Sequence, residues 1–337
     1  MANARATIAG IADELGVSVP TISKVLNGRP DVAPATRVRV EEALNRHSYR
    51  RRVSRQAVPG AGLLEVAFHE ADSPWSLEVI HGIQSVCGPA RIGLLLSDLS
   101  GAHRPKQAWI DDVMARKPVG VLFVLSGPDD TQQQQLRSRS VPFVVVDTQR
   151  EPQPGVPTVG SNNWGGALSA TRHLIGLGHR RLAVISGPSD VLCSRARVGG
   201  FRTAHEEAGL RADPTLVRWG DFEAGAGYRH ALDLLSQVNP PTAIFAGSDM
   251  QALGVIRAAR QLGLRVPEDL SVVGYDNLPL TEWTNPPLTT VTQPLREMGA
   301  LGAQMLLTFA EGKQPATQSL ELGTEFVERG STAPPSH

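Results

Sequence analysis

The run Ser18-Val19-Pro20-Thr21-Ile22-Ser23-Lys24 gathers hydroxyls, a cation and small apolar groups within seven residues, a set suited to reading DNA. As a helix it turns Ile22, Val25 and Leu26 inward and Val19, Pro20, Thr21, Ser23 and Lys24 outward. Lys24 can donate to guanine O6 and N7, Val19 and Pro20 can touch thymine methyls, and Thr21 and Ser23 suit phosphate oxygens. Other chemistry stands at strand ends. Asp147 follows the apolar run Phe143–Val146, where a carboxylate can accept sugar hydroxyls or cap a turn. Trp75 stands beside a helix start and can stack on a sugar ring or join a core. Arg195 and Arg197 are too close in sequence to share a helical face, so one of them points into a cleft at most.

Catalytic patterns fail one by one. Gly225-Ala226-Gly227 lacks the later glycine of a dinucleotide fingerprint, and His205-Glu206 lacks the second histidine of a zinc-protease helix. There is no Gly-x-Ser-x-Gly nucleophile elbow. Nine scattered histidines form no ligand-spaced pair, and Cys87 and Cys193 give neither a disulfide framework nor zinc spacing. No enzyme activity, metal or cofactor is expected.

The elements that must carry these residues can be read from spacing. Ile8, Ile11, Ala12 and Leu15 share one helical face, with Thr7 as N-cap and Gly16 as stop. Ser18 caps a second helix that runs to Asn27, and Gly28-Arg29-Pro30 breaks it. A third starts at Pro34, buries Val40, Ala43 and Leu44, and ends near His47. Two short helices joined by the Gly16-Val17 turn match helix-turn-helix construction. Arg50-Arg51-Arg52-Val53-Ser54-Arg55 and then Pro59-Gly60-Ala61-Gly62 read as a basic linker. From Leu63, apolar strands at 63–68, 92–96, 119–125, 143–146, 182–185, 243–245 and 270–274 alternate with helical stretches. That alternation predicts parallel sheets covered by helices on both faces, enough for two α/β subdomains. The polar run Gln132–Gln135 falls on one of the helices.

The net charge of zero conceals a division: residues 1–60 hold ten Lys/Arg against five Asp/Glu, and the remainder 23 against 28. A basic head on an acidic body is expected to bring only the head to a polyanion. No apolar run reaches the ~20 residues of a membrane span, and no signal peptide is evident, so a cytoplasmic protein is expected.

The whole string is more specific. Thr7-Ile8-Ala9-Gly10-Ile11-Ala12-Asp13-Glu14-Leu15-Gly16-Val17-Ser18 leads into Val19-Pro20-Thr21-Ile22-Ser23-Lys24-Val25-Leu26-Asn27-Gly28, followed by Val32-Ala33-Pro34-Ala35-Thr36-Arg37 and His47-Ser48-Tyr49. This closely resembles the LacI/GalR (lactose-repressor/galactose-repressor) family of bacterial transcriptional regulators, and the likeness continues through nearly the whole chain. It implies a helix-turn-helix head at 1–49, a hinge at 50–62, and an effector-binding and dimerising body at 63–337. The body would be periplasmic-binding-protein-like, with one subdomain at about 63–160 and 293–320 and the other at about 161–292 and 321–337. It further implies a homodimer on a pseudo-palindromic operator, more commonly a repressor, whose DNA affinity a metabolite controls. The C-terminal stretch carries no heptad, which favours a dimer over a tail-driven tetramer.

On that resemblance the DNA contacts are Thr7, Ser18, Val19, Pro20, Thr21, Ser23, Lys24 and Asn27, joined by Arg52, Arg55 and Val58 from the hinge. Val58 stands where the family usually wedges a leucine into the minor groove. Valine is smaller, and Pro59 ends the helix at or before it. Ala33 replaces a common Ser cap, a loss of ~1 kcal/mol. In the body, Arg197, Phe222 and Asp276 match effector contacts, and Ser248 stands where several members use Asn. Asp249 matches a family Asp that is structural or near the ligand, and Gln293 stands as a crossover or ligand-near residue. With Trp75 and Asp147 these form the expected effector site. Two carboxylates, one arginine and aromatic faces suit a sugar or oligosaccharide. A purine or phosphorylated metabolite is the alternative, and a sugar-binding protein without DNA function a more distant one.

Overall fold

The computed structural model describes residues 8–26, 29, 32–47, 62–151 and 154–336. The expected Thr7, Asn27, Arg52, Arg55 and Val58 lie outside the described residues.

The head is three helices, α1 (Ile8–Leu15), α2 (Val19–Leu26) and α3 (Pro34–Arg46). Ile11, Ala12, Ile22, Val25, Val32, Val40, Ala43 and Leu44 meet in one core, which is why those apolar spacings recur in the sequence. Gly16 ends α1 at φ 65°, a conformation that disfavours any side chain, and the chain turns there into α2. Arg39 of α3 donates to the Leu15 carbonyl oxygen at 3.0 Å, satisfying an end group of α1.

The body starts with β1 (Gly62–Phe68), α4 (Pro74–Cys87), β2 (Ile92–Asp98), α5 (Gln107–Arg116), β3 (Gly120–Val124), α6 (Asp130–Ser138), β4 (Phe143–Val146) and β5 (Thr158–Ser161). It continues through α7 (Asn163–Gly176), β6 (Leu182–Ser186), α8 (Leu192–Glu207), β7 (Val217–Trp219), α9 (Ala224–Leu235), β8 (Ala243–Ala246), α10 (Asp249–Gln261) and β9 (Ser271–Val273). Last come β10 (Thr290–Thr292), α11 (Leu295–Ala310), β11 (Ser319–Leu322) and β12 (Glu325–Val327). One six-stranded sheet has the order β11-β5-β4-β3-β1-β2, and a four-stranded sheet has β7-β6-β8-β9; every pairing in both is parallel. β10 and β12 form a short antiparallel ribbon. The expected parallel α/β architecture is present. Five strands of three or four residues (β5, β7, β10, β11 and β12) escape sequence reading, because polar, charged or glycine residues interrupt them and leave no continuous apolar run.

Helix layers clamp both sheets, and two helix pairs approach through reciprocal glycines. A Cβ on Gly82 of α4 would fall 1.9 Å from the Arg296 carbonyl oxygen, and one on Gly299 of α11 would fall 2.3 Å from that of Val79. Gly227 and Gly254 do the same for α9 and α10, each 2.1 Å from a carbonyl oxygen of the partner helix. The polar run on α6 is not a solvated face: Gln132 and Gln133 are buried, and Asp129 with Gln132 builds a capping box. Cys87 and Cys193 are both buried free thiols.

Gly82→Ala should therefore push α4 from α11 and destabilise the body by about 1–3 kcal/mol. Gly160→Ala, where an added Cβ meets nothing within 4 Å, should leave the melting temperature by circular dichroism near the parent value.

Candidate DNA-reading helix and effector cleft

On the head, α2 buries Ile22 and Val25 and leaves Val19, Pro20 and Lys24 exposed, with Thr21 and Ser23 half-buried. Ser18 accepts from the Thr21 backbone N–H at 3.3 Å, and its hydroxyl lies 2.9 Å from that of Thr21. The cap and first turn of α2 thus present hydroxyl and apolar groups, with the cation of Lys24 one turn further on, the layout of a recognition helix.

In the body, the carboxyl ends of strands from both sheets converge on one cavity of about 840 Å³, its mouth included. Trp75, Asp147, Arg197, Phe222, Ser248 and Asp276 all line it. Ligands of open α/β folds bind at such ends. Asp147 follows β4 at φ 54°, and its N–H continues the ladder to the Val159 carbonyl oxygen at 2.8 Å. Asp276 follows β9 at φ 113°, its N–H held by the Val291 carbonyl oxygen at 2.7 Å. Both carboxylates are turned inward by backbone conformations that non-glycine residues seldom adopt. Trp75 opens α4 behind Ser73, which caps the helix by accepting from the Ser76 N–H at 3.1 Å.

Arg197 sits inside α8 and is 3% exposed, while Arg195 is exposed and donates to the Asp190 carbonyl oxygen. The Arg197 guanidinium lies 3.9 Å from the ring centre of Tyr275 and 5.3 Å from that of Phe222. It also donates to the Gly247 carbonyl oxygen. Phe222 can lie there because Gly187 has no Cβ; one would fall 2.2 Å from its ring.

A chain of buried hydrogen bonds joins the two ends of the site. Arg197 Nε donates to Asn163 Oδ1 at 2.9 Å, and Asn163 Nδ2 donates to the Ser161 carbonyl oxygen at 3.1 Å. Ser161 Oγ donates to Gln293 Oε1 at 2.7 Å, and Gln293 Nε2 donates to Asp276 Oδ1 at 2.6 Å. Ser161 and Asn163 lie where the chain leaves the six-stranded sheet, and Gln293 lies where it returns toward α11.

Residues 7–52 match the family described as bacterial regulatory proteins, lacI family, and residues 171–332 match the periplasmic binding protein-like domain. The chain is 32% identical over 333 residues to the HTH-type transcriptional repressor CytR of Escherichia coli (strain K12), covering 97% of this chain and 96% of that protein. It is 33% identical to the HTH-type transcriptional repressor PurR of Proteus mirabilis (strain HI4320), covering 97% of each. The chain belongs to the lacI family of bacterial regulatory proteins. A solved complex of the transcriptional regulator CelR with cellobiose superposes with a TM-score of 0.73 at 31% identity, covering 97% of this chain and 100% of that one. The lac repressor dimer bound to operator and an anti-inducer superposes at 0.70 with 26% identity, covering 97% and 99%. Like the rest of the family, this protein is a DNA-binding transcriptional regulator with an effector-binding domain.

Within this lacI-family cleft the remaining expected residues divide by their bonding. Ser248 caps α10, accepting from the Gln251 N–H at 3.0 Å and donating to the Phe222 carbonyl oxygen at 2.6 Å, so much of its hydroxyl is already used. Asp249 is structural: it accepts from Thr290 Oγ1 at 2.6 Å and from the Leu278 N–H at 2.7 Å. Several lining residues carried no signal in the sequence. His69 and His103 stack face to face, 3.8 Å between ring centres, on one wall. Glu70, Asp221 and Glu223 also line the cavity. Asn163 was not singled out in the sequence at all.

Burial pushes the Asp276 carboxyl up to about 7 and that of Asp147 up to about 6, with Arg197 opposing both shifts. Burial, with help from Asp147, pushes the Cys193 thiol up to about 12, so it stays protonated and inert at neutral pH. The folded protein thus holds the Asp276 proton more tightly than an unfolded chain, whose aspartates titrate near ~3.9. Between about pH 4 and pH 7 this group lowers stability as pH rises, and the whole penalty is present above its folded value. Asp276→Asn, which keeps the acceptor for Gln293, should gain stability relative to the parent as pH is raised from about 5 to about 8. Parallel melting curves of the two proteins measure that difference.

Proposed function

We propose that this protein is a repressor that binds a pseudo-palindromic operator as a homodimer, and that a sugar or oligosaccharide in the cleft changes its DNA affinity. The observation that carries this reading is the convergence of Asp147, Asp276 and Arg197 with the faces of Trp75 and Phe222 around one cavity behind a helix-turn-helix head. Carboxylates accept hydroxyl protons in pairs, and aromatic faces cover the apolar side of a sugar ring. Two relatives carry the name of repressor, and the CelR complex holds cellobiose in the same fold. Dimerisation is supported by Leu77 of α4 and Leu96 of β2, which are 53% and 45% exposed on neighbouring elements at a sheet edge. The division at 1–49, 50–62 and 63–337 belongs to the same proposal, as does the minor-groove role of Val58. No helix among the described residues is long and apolar enough to cross a membrane, which accords with a cytoplasmic regulator. A planar purine is the second reading, favoured by the stacked imidazoles beside Trp75 and Phe222.

Two measurements test the two halves. With an operator selected from a random DNA pool, Lys24→Ala should cost about 1–3 kcal/mol of binding by fluorescence anisotropy and relax base preference. Parent affinity should also fall steeply between about 50 and 200 mM salt; a salt-independent signal would end the DNA reading. In a thermal-shift panel of sugars, purines and phosphosugars, a ligand at ~100 times its Kd should stabilise the protein by ~2.7 kcal/mol. The shift should vanish in Arg197→Ala and in Asp276→Ala. A purine hit would replace the sugar assignment, and a shift that survives both substitutions would place the ligand elsewhere.

A further inference from the structure

Both lips of the cleft are acidic. Glu70 and Asp72 stand on the loop behind β1, and Asp221 and Glu223 on the loop behind β7. The Glu70 carboxyl is held above its ordinary value by burial and then by Asp72 and Asp221. That of Glu223 is raised by burial and then by Glu70, Asp221 and Asp72. Glu70 and Glu223 therefore feel the neighbouring carboxylates across the gap between the two sheets. Around them, Arg229 approaches Asp221 at 3.8 Å but is 67% exposed, and His69 Nε2 lies 3.9 Å from Glu70.

The interior points the same way through a separate observation. Asp147 is 5% exposed and lines the cavity, yet among the described residues no side chain or backbone N–H donates to its carboxylate. A buried carboxylate without a donor is rare in folded proteins and is commonly completed by water or a ligand. Arg197 does not complete it. Its guanidinium is turned to Asn163 Oδ1 and the Gly247 carbonyl oxygen, and its faces are covered by Tyr275 and Phe222. An entering molecule meets acceptors carrying negative charge, and the one buried cation among the described lining residues is engaged with the protein.

We propose that the cleft takes a hydroxyl-rich effector bearing a protonated amino group, an amino sugar or an aminated oligosaccharide. Its hydroxyls lie on Asp147, and its ammonium lies between Glu70 and Glu223 at the lips. This rests on the reading of the cleft as a carbohydrate site. A neutral sugar leaves the repulsion between the lips uncompensated, a phosphorylated one adds to it, and an ammonium removes it.

The test is calorimetric titration of the full chain with glucose, galactose and cellobiose, each beside its amino and its phosphorylated counterpart. On any scaffold that binds, the amino form should bind about tenfold tighter than the hydroxyl form at low salt. That ratio should shrink toward one at about 0.5 M salt, because the lips are exposed and screened. It should also shrink in the double substitution Glu70→Gln with Glu223→Gln, with circular dichroism checking the fold. Hydroxyl binding without an amine preference overturns this inference and leaves the carbohydrate reading standing. Tightest binding by a phosphorylated form overturns it as well. An amine preference that survives both salt and the double substitution overturns the placement at the lips. Silence from all three scaffolds overturns the carbohydrate reading and this inference with it.

Discussion

Burial of the Arg197 guanidinium is the constraint from which the body's site follows. A cation taken out of water needs its donors satisfied and its charge answered, or the fold loses several kcal/mol. Among the described residues no carboxylate lies within ion-pair distance of it. Its partners are a carbonyl oxygen, an amide oxygen and two aromatic faces. Each of those partners fixes something further. Asn163 must begin α7, Tyr275 must face inward just beyond β9, and position 187 must be glycine so that the Phe222 ring has a seat. The positive field that remains is what keeps Asp147 and Asp276 from being raised still further by burial.

The hydrogen-bond chain from Arg197 through Asn163, Ser161 and Gln293 to Asp276 gives that constraint a mechanical consequence. Asp147 extends from the six-stranded sheet, whereas Asp276 and Arg197 belong to the four-stranded side. A ligand that engages both carboxylates would fix the separation of the two sheets. The same chain passes through Ser161 and Gln293, where the backbone crosses between them. A ligand that displaced Asp276 or Arg197 would therefore act on the crossovers directly, with no long pathway in between. The size of that action is bounded by the ligand's differential affinity for the two arrangements, commonly ~1–3 kcal/mol of coupling.

Much of this was legible in the sequence, for reasons that differ by residue. The head was readable because Ile11, Ala12, Ile22 and Val25 keep a helical period and Gly16 marks the turn. Seven strands of the two sheets were readable because fully buried parallel strands are continuous apolar runs, as in Phe143–Val146. β5, β7, β11 and the β10–β12 ribbon were not, since polar, charged or glycine residues interrupt their apolar runs. In the cleft, Asp147 could be singled out as a carboxylate at a strand end, and spacing separated Arg195 from Arg197. Selecting Arg197, Phe222 and Asp276 took a family resemblance. The stacked pair of His69 and His103 was invisible, because 34 positions separate residues that meet only when β1 and β2 pair and their following loops lie side by side. The acidic lips were hidden for the same reason: Glu70 and Glu223 look like ordinary surface residues until the two sheets face each other.

The charge division along the chain acquires a physical sense once these sites are placed. Residues 1–60 carry ten basic groups against five acidic, and the rest carries 23 against 28. A uniformly basic protein would draw DNA over its whole surface, since phosphate attraction is independent of sequence and acts through any exposed Lys or Arg. An acidic body repels the duplex and leaves the head as the favoured contact, while the same negative field favours neutral and cationic ligands at the cleft. The cost falls on the cleft, where Asp147 and Asp276 must be buried close together with a single arginine. Their raised proton affinities are the visible sign of that conflict. A ligand that donates hydrogen bonds or positive charge would relieve it, so the charge pattern that favours DNA contact at the head also favours such a ligand at the cleft.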